Sequence, residues 1–306
     1  MEISVIIPVY NKAEYLDRCF ESIFAQPFGS FEVVAVDDGS TDGSGELCDQ
    51  WARRESRLHV VHVANGGVTA ARRKGVEQST GRYIMFADAD DLLTDGALQM
   101  MHEAIERSGA DEVIATFRTQ DGVASPVVYE GFVEGDELMR YIMTGKNRFP
   151  VLWSIIFRRE LLDGVFDIPR DIVEGEDKMM QMKVLMKRPW VYFIKEQAYI
   201  YTLGLPNARR HTLERERLYD ALLRQLLGSR LDEFATAFKL HQLKEYERFL
   251  LDGDFTVKKA YYQEAVGTLP AGIPLYDQLV YALPPACARW VVRLYRAIID
   301  YKQKGL

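Results

Sequence analysis

Cysteine is scarce in this chain. Three stand in 306 residues (Cys19, Cys48 and Cys287), and none forms a Cys-x-x-Cys pair. An odd, scattered set is not a disulfide framework, and it points to a reducing compartment. Long apolar runs are lacking too: no stretch approaches the ~18 residues that span a bilayer. Met1-Glu2 leads straight into an apolar strand without the basic segment that opens a secretory signal. The expectation is a cytoplasmic protein, with room for peripheral contact on the inner face of the cell membrane. Positive charge is in deficit, 38 Lys and Arg against 45 Asp and Glu, a net charge of -7. That balance excludes general nucleic-acid binding, which needs a basic footprint. Internal repeats and low-complexity segments are also missing.

What is present is a regular alternation. Ile3 to Ile7 is a short β-branched run, and Ala13 to Ala25 follows with Leu16, Phe20, Ile23 and Phe24 at helical spacing. The spacing then predicts strands over Phe31–Val36, Leu58–Val63 and Tyr83–Phe86, with helices over Ser44–Arg54 and Val68–Ser79 between them. This βαβαβαβ order implies an α/β fold, a mostly parallel central sheet with helices on both faces. Further on, strands are expected at Asp111–Phe117, Val127–Val133, Leu152–Phe157 and Val191–Thr202. Helices are expected at Gly96–Arg107, Asp136–Met143 and Asp177–Met186. From about Leu213 the pattern is helical to the end, broken by glycines and prolines. The division expected is a catalytic domain over 1–212 and a helical C-terminal region over 213–306.

In open parallel sheets, ligands bind outside the carboxyl ends of the strands. Here the first strand ends in Pro8-Val9-Tyr10-Asn11 and the second in Asp37-Asp38-Gly39-Ser40-Thr41-Asp42. The third ends in Asn65-Gly66-Gly67 and the fourth in Asp88-Ala89-Asp90-Asp91. Like charges this close repel unless a cation or water compensates, and hard carboxylate oxygens suit Mg²⁺ or Mn²⁺. One such triplet alone reads more simply as a helix cap; four coordinated strand ends favour a site. Tyr10 can stack on a planar base. Asp38 and Asn65 can hydrogen-bond a base edge, and Arg72 can meet a phosphate or Asp38. The run from Asp38 to Asp49 loosely imitates a calcium loop, but a strand precedes it where a helix is required.

Taken together, these residues resemble family 2 glycosyltransferases with the GT-A fold. The resemblance rests on Ser4-Val5-Ile6-Ile7-Pro8-Val9-Tyr10-Asn11, Val36-Asp37-Asp38-Gly39-Ser40-Thr41-Asp42 and Asn65-Gly66-Gly67-Val68 with Ala70-Ala71-Arg72. Gly81-Arg82-Tyr83-Ile84 leading to Asp88-Ala89-Asp90-Asp91 completes it, and the likeness runs to about residue 205. It implies a nucleotide-binding part over about 1–110 and an acceptor part over about 111–212. Pro8, Val9, Tyr10, Asn11, Asp38, Asn65, Arg72, Asp88 and Ala89 would hold the nucleotide, commonly uridine. Asp90 and Asp88 would take the metal, and Asp91 fits the following acidic position. Val173-Glu174-Gly175-Glu176-Asp177 resembles the family's Glu-Asp motif, which implies Asp177 as catalytic base with Glu176 second. A helix N-terminus enriched in acids is the plainer reading of that pair. Asp91, Arg210 and His211 are candidates for diphosphate or acceptor contacts, beside Arg209, to which no role is given. The chain departs from the pattern where relatives carry a Lys and it has Ser154 or Ile155.

The activity so implied is inverting transfer of a sugar from a nucleoside diphosphate donor, commonly a UDP-sugar. The acceptor would be a hydroxyl of a glycan or lipid-linked glycan in polysaccharide assembly. Two competitors stand beside it. A nucleotidyltransferase would show a Gly-rich basic loop after the first strand, which Pro8-Val9-Tyr10-Asn11-Lys12 is not. A catalytically silent scaffold would have no use for both acidic motifs. At the C-terminus, Trp290, Val291, Leu294 and Ile298 share a helical face, and the segment Ala286–Lys304 carries a net +4. A basic amphipathic helix can lie on an anionic membrane. Packing on its own domain or on a second subunit is the expected case.

Overall fold

The computed structural model describes residues 1–144, 152–204, 212–252 and 256–303. The chain divides into two compact units, Met1–Met139 with Asn147–Arg209, and Arg140–Lys146 with Arg210–Leu306. The second unit thus takes in Arg140–Lys146, which chain order alone assigned to the first.

The first unit is built on one nine-stranded sheet. Its strands are β1 (Ile3–Val9), β2 (Phe31–Asp37), β3 (Leu58–His62), β4 (Tyr83–Phe86), β5 (Leu92–Leu93), β6 (Glu112–Thr119), β7 (Gly131–Val133), β8 (Ile155–Arg158) and β9 (Val191–Tyr201). The order across the sheet is β3-β2-β1-β4-β8-β6-β9-β5, with β7 also on β9. β1 to β4 run parallel, as do β6 and β9, while β8 pairs antiparallel with both β4 and β6. β5 and β7 also oppose β9. Six strands therefore share one direction and three oppose it. The short β5, joined to β9 through Leu92 and Leu93 directly after the acidic run, was not expected.

The side-chain period of two in β1 divides the helices between the faces. Ile3, Val5, Ile7 and Val9 pack with Leu16, Phe20 and Ile23 of α1 (Ala13–Phe24), Cys48 and Trp51 of α2 (Ser44–Ala52), and Leu98, Met101 and Ile105 of α4 (Ala97–Ser108). Ile6 points to the other face, against α3 (Val68–Gln78). A Cβ on Gly75 of α3 would fall 2.3 Å from Ile6 Cγ2, so the helix lies on the strand only because position 75 is glycine. α5 (Gly135–Thr144) follows, and then α6 (Glu176–Leu185). Gln181 of α6 donates to Glu112 of β6, and both are fully buried. Burial pushes the Glu112 carboxyl up to about 8. This contact fixes α6, and with it the acidic pair at its start, against the sheet.

The second unit carries α7 (Leu213–Leu227), α8 (Ala235–Asp252), α9 (Thr256–Val266), α10 (Leu275–Ala282) and α11 (Pro285–Gln303). Its core joins Tyr246, Phe249, Leu250, Tyr262, Val280, Ala288 and Val292. Asp220 of α7 accepts hydrogen bonds from Gln242 of α8 and Tyr261 of α9. No helix among the described residues is long and apolar enough to cross a membrane.

Candidate functional site

The parallel register brings the carboxyl ends of β1, β2 and β4 to one edge, with Val9 beside Asp37 and Ile6 beside Phe86. A cleft of about 1050 Å³ opens there. Eleven of the residues expected at the site line it: Pro8, Val9, Tyr10, Asp38, Asn65, Arg72, Asp88, Ala89, Asp90, Glu176 and Asp177. Asn11 and Asp91 do not, and Arg209, Arg210 and His211 lie outside the described residues.

The corner of the cleft around Asp38 is held by hydrogen bonds. Asp38 is 3% exposed; its two oxygens accept from the Gly66 and Gly67 amides at 2.7 and 2.8 Å. Asn65 donates to the Asp38 carbonyl at 2.8 Å and accepts from Arg170. Asp38 therefore fixes the loop after β3 and keeps only its remaining lone pairs for a ligand. Its neighbour Asp37 turns away from the cleft to Ser40 and His62. Tyr10 stands open at 49% exposure, a free aromatic face at the cleft edge. Asn11 does not line the cleft: its side chain accepts from Thr41 N at 2.8 Å and its backbone N–H donates to Ser40 Oγ. With φ at 51°, it ties the β1 loop to the β2 loop instead of facing the cleft.

The acidic run separates into three roles. Asp88 Oδ1 accepts from Arg72 Nη2 at 3.1 Å, and Asp90 Oδ2 pairs with the Lys12 ammonium. Asp88 Oδ2 and Asp90 Oδ1 carry no hydrogen bond among the described residues. Asp91 does not line the cleft either. It is 2% exposed and accepts from Thr202 N at 2.7 Å, tying the run to the end of β9. Burial, and then the charge on Asp88, pushes its carboxyl up to about 8. It faces inward because Leu92 and Leu93 must turn to pair with β9.

Two outward carboxylates with free oxygens fit a hard divalent ion, which needs few protein ligands when substrate phosphates complete its shell. Among the described residues, one group of three or more metal-ligating side chains lies close enough to hold an ion unaided: Glu2, His102 and Glu106. It lies at the opposite strand ends, and Glu106 is already bound to Arg82 and Tyr83.

Arg72, 3% exposed, sits beneath the cleft floor. Its Nη1 is 3.8 Å from Glu176 Oε1 while Nη2 holds Asp88. Burial opposes its charge, but Asp88, Glu176 and Asp177 together outweigh that and hold its pKa above the usual value. Glu176 and Asp177 open α6 after Gly175, whose φ of 79° turns the chain into the helix. Glu176 is 5% exposed against Arg72. Asp177 is half-buried, and its Oδ1 accepts from Lys178 N at 2.7 Å.

The cleft also contains groups that pattern reading did not select. Lys12, Arg73, Arg170, Trp153, Phe166 and Tyr201 line it. Lys12 was available to find, immediately after the Tyr10-Asn11 pair. The others arrive by tertiary folding: Arg73 donates to the Phe166 carbonyl at 2.6 Å, drawing the loop before α6 across α3. Ser154, where a basic residue was missed, is fully buried and donates to the Ala115 and Thr116 carbonyls. Its side chain belongs to the scaffold.

The structure is thus an α/β protein with a polar, acidic cleft at the carboxyl ends of its parallel strands. The sequence model of glycosyl transferase family 2 matches residues 4–166, and the chain belongs to that family. It is 31% identical over 209 residues to the uncharacterized glycosyltransferase EpsJ of Bacillus subtilis (strain 168), covering 65% of this chain and 60% of that protein. The chain thus spans about three-fifths of that relative's length. The fold is shared with the crystal structure of S. aureus TarS 1–349 in complex with UDP-GlcNAc, at a TM-score of 0.74 and 19% identity over 97% of this chain and 92% of that one. It is also shared with the mannosyltransferase PcManGT from Pyrobaculum calidifontis in complex with GDP-Man and Mn²⁺ (TM-score 0.53, 18% identity, 98% of this chain and 75% of that one).

Proposed function

We propose that this chain is an inverting glycosyltransferase that moves a sugar from a nucleoside diphosphate donor, a UDP-sugar, to a hydroxyl of a glycan or lipid-linked glycan. The observation that carries this reading is the convergence of Tyr10, Asp38, Asn65, Asp88, Asp90 and Asp177 on one cleft. Tyr10 stacks on the base, while the Asp38–Asn65 corner reads its edge. Asp90, with Asp88, would hold a Mg²⁺ or Mn²⁺ ion, which when bound would supply Lewis-acid stabilisation of the leaving diphosphate. Asp177 takes the proton of the acceptor hydroxyl as its oxygen attacks the anomeric carbon, and the bond to the diphosphate breaks on the opposite side. Asp177 suits this better than Glu176, whose charge is committed to buried Arg72. A bound UDP-sugar in TarS and a bound GDP-sugar with Mn²⁺ in PcManGT support the donor class.

The test is a thermal-shift screen of nucleoside diphosphates with Mn²⁺ or Mg²⁺. UDP with metal is expected to stabilise the chain by about 2.7 kcal/mol at a hundredfold excess over Kd, seen as a rise of several degrees in Tm. No shift with any nucleoside diphosphate in the presence of metal removes the nucleotide site.

The same reading gives the C-terminal helices an acceptor-side task, contact with an anionic membrane. In α11, Trp290, Leu294 and Ile298 are 66%, 47% and 45% exposed along one stripe. Arg293 and Arg296 are exposed beside it. A second copy on that face would oppose like charges, whereas anionic headgroups complement them. The chain is expected to co-sediment with phosphatidylglycerol vesicles, and Trp290→Glu with Leu294→Glu to stay in the supernatant. A native chain that stays in solution with such vesicles, or forms dimers through this stripe, overturns the assignment.

A further inference from the structure

Among the described residues, four cationic side chains line the cleft against five carboxylates. Three of the cations are committed elsewhere. Arg72 is buried between Asp88 and Glu176. Arg73 holds the Phe166 carbonyl, and Arg170 holds Asn65. Lys12 differs. Among the described residues its ammonium has one hydrogen-bond partner, the Asp90 carboxylate. Its backbone is anchored, since Lys12 N donates to Ser44 Oγ at 2.8 Å and the next amide, Ala13 N, donates to Asp42. Its side chain, at 30% exposure, remains a flexible four-carbon stem with a compact charge. A divalent ion on Asp90 would share that carboxylate with the Lys12 ammonium, and two cations on one carboxylate repel each other.

We propose that Lys12 is a built-in counter-cation for Asp90 which a divalent ion must displace, so that Lys12 sets how tightly the ion binds before any donor is present. The inference rests on the reading of Asp90 as a metal ligand. With no metal, the ammonium neutralises the carboxylate and keeps the acidic run compact. When an ion arrives, the ammonium swings off Asp90 while staying in the cleft, where it can meet the diphosphate oxygens. Metal and donor are thereby coupled: the ion alone competes with Lys12, whereas the ion with a diphosphate gives the displaced ammonium a new anionic partner. Arg72 cannot act in this way because its buried guanidinium has no other place to go.

The experiment is titration of the full chain with Mn²⁺ alone, read from the electron paramagnetic resonance signal of the free ion. Lys12→Met and Lys12→Gln are expected to bind Mn²⁺ roughly two- to fivefold more tightly than the native chain, the range open to a partly exposed ion pair. Lys12→Arg, which keeps the charge, is expected to leave the affinity near native. Arg170→Met removes a cleft charge that does not touch Asp90 and is expected to have a smaller effect. Equal affinity in Lys12→Met, Lys12→Gln and the native chain, with Asp90→Asn abolishing binding, overturns the role of Lys12 and leaves the metal site standing. Tightening in Arg170→Met as large as in Lys12→Met also overturns it, because the effect is then long-range charge. Unchanged binding in Asp90→Asn removes the metal reading itself, and the inference with it. The Tm of each variant separates loss of fold from loss of binding, and two Lys12 replacements guard against one that misfolds.

Discussion

Asp177→Asn is expected to lose sugar transfer by a factor of about 10²–10⁴, the usual contribution of a positioned general base, while donor binding stays unchanged. Asparagine keeps the size and the polar end of the side chain, and its amide oxygen can still accept from the Lys178 amide at the start of α6. What it cannot do is accept a proton at neutral pH. The position suits the role, because the residue is half-buried at the cleft wall on a helix that Gln181 and Glu112 fix to the sheet. The check is isothermal titration of UDP with metal beside turnover under saturating donor. Loss of turnover with unchanged Kd puts Asp177 on the acceptor proton. Turnover within a factor of a few of native takes that role away from it. Glu176→Gln serves as comparison, since its carboxylate faces Arg72 and its loss should first appear in stability.

The sequence made the first half of the sheet legible because parallel strands buried on both faces are short apolar runs. The cues at Ile3–Ile7 and Phe31–Val36 lie in adjacent strands in register, Ile3–Val9 and Phe31–Asp37. The strand ends followed, since a parallel sheet delivers its carboxyl ends to one edge. Direction was not legible further along. β8 opposes β4 and β6, yet nothing in Ile155–Arg158 marks an antiparallel strand. The expected strand over 127–133 reduces to Gly131–Val133, with Val127 exposed. Within the site, residue type foretold which groups reach the cleft but not which way adjacent ones turn. Asp38 and Asp37 divide between cleft and scaffold, as do Asp90 and Asp91. A one-residue change of direction depends on which neighbour supplies a hydrogen bond, and Thr202, the partner of Asp91, lies 111 residues away. The same distance hides Arg170 and Tyr201, which approach the cleft only once the loop before α6 and the end of β9 are in place.

Arg72→Met should be the most destabilising change in the site, costing about 3–5 kcal/mol, the usual effect of breaking a buried ion pair from one side. The guanidinium is 3% exposed and serves carboxylates from two separate elements, Asp88 after β4 and Glu176 at the start of α6. Methionine fills much of the same volume but withdraws the Arg72 charge from Asp88 and from buried Glu176. Lysine should rescue little, since one ammonium cannot span both oxygens as a planar fork does. The mechanism makes a sharper demand on the double variant. If the cost arises from an uncompensated carboxylate, Glu176→Gln should recover part of the stability lost by Arg72→Met, and the two effects should fall short of adding. Thermal denaturation of the native chain, both single variants and the double variant supplies the cycle. Additive losses would mean that Arg72 supports the floor by packing alone. Coupling would mean that one buried cation holds Asp88 after β4 and Glu176 at the start of α6 in register, so that two walls of the cleft share a single electrostatic joint.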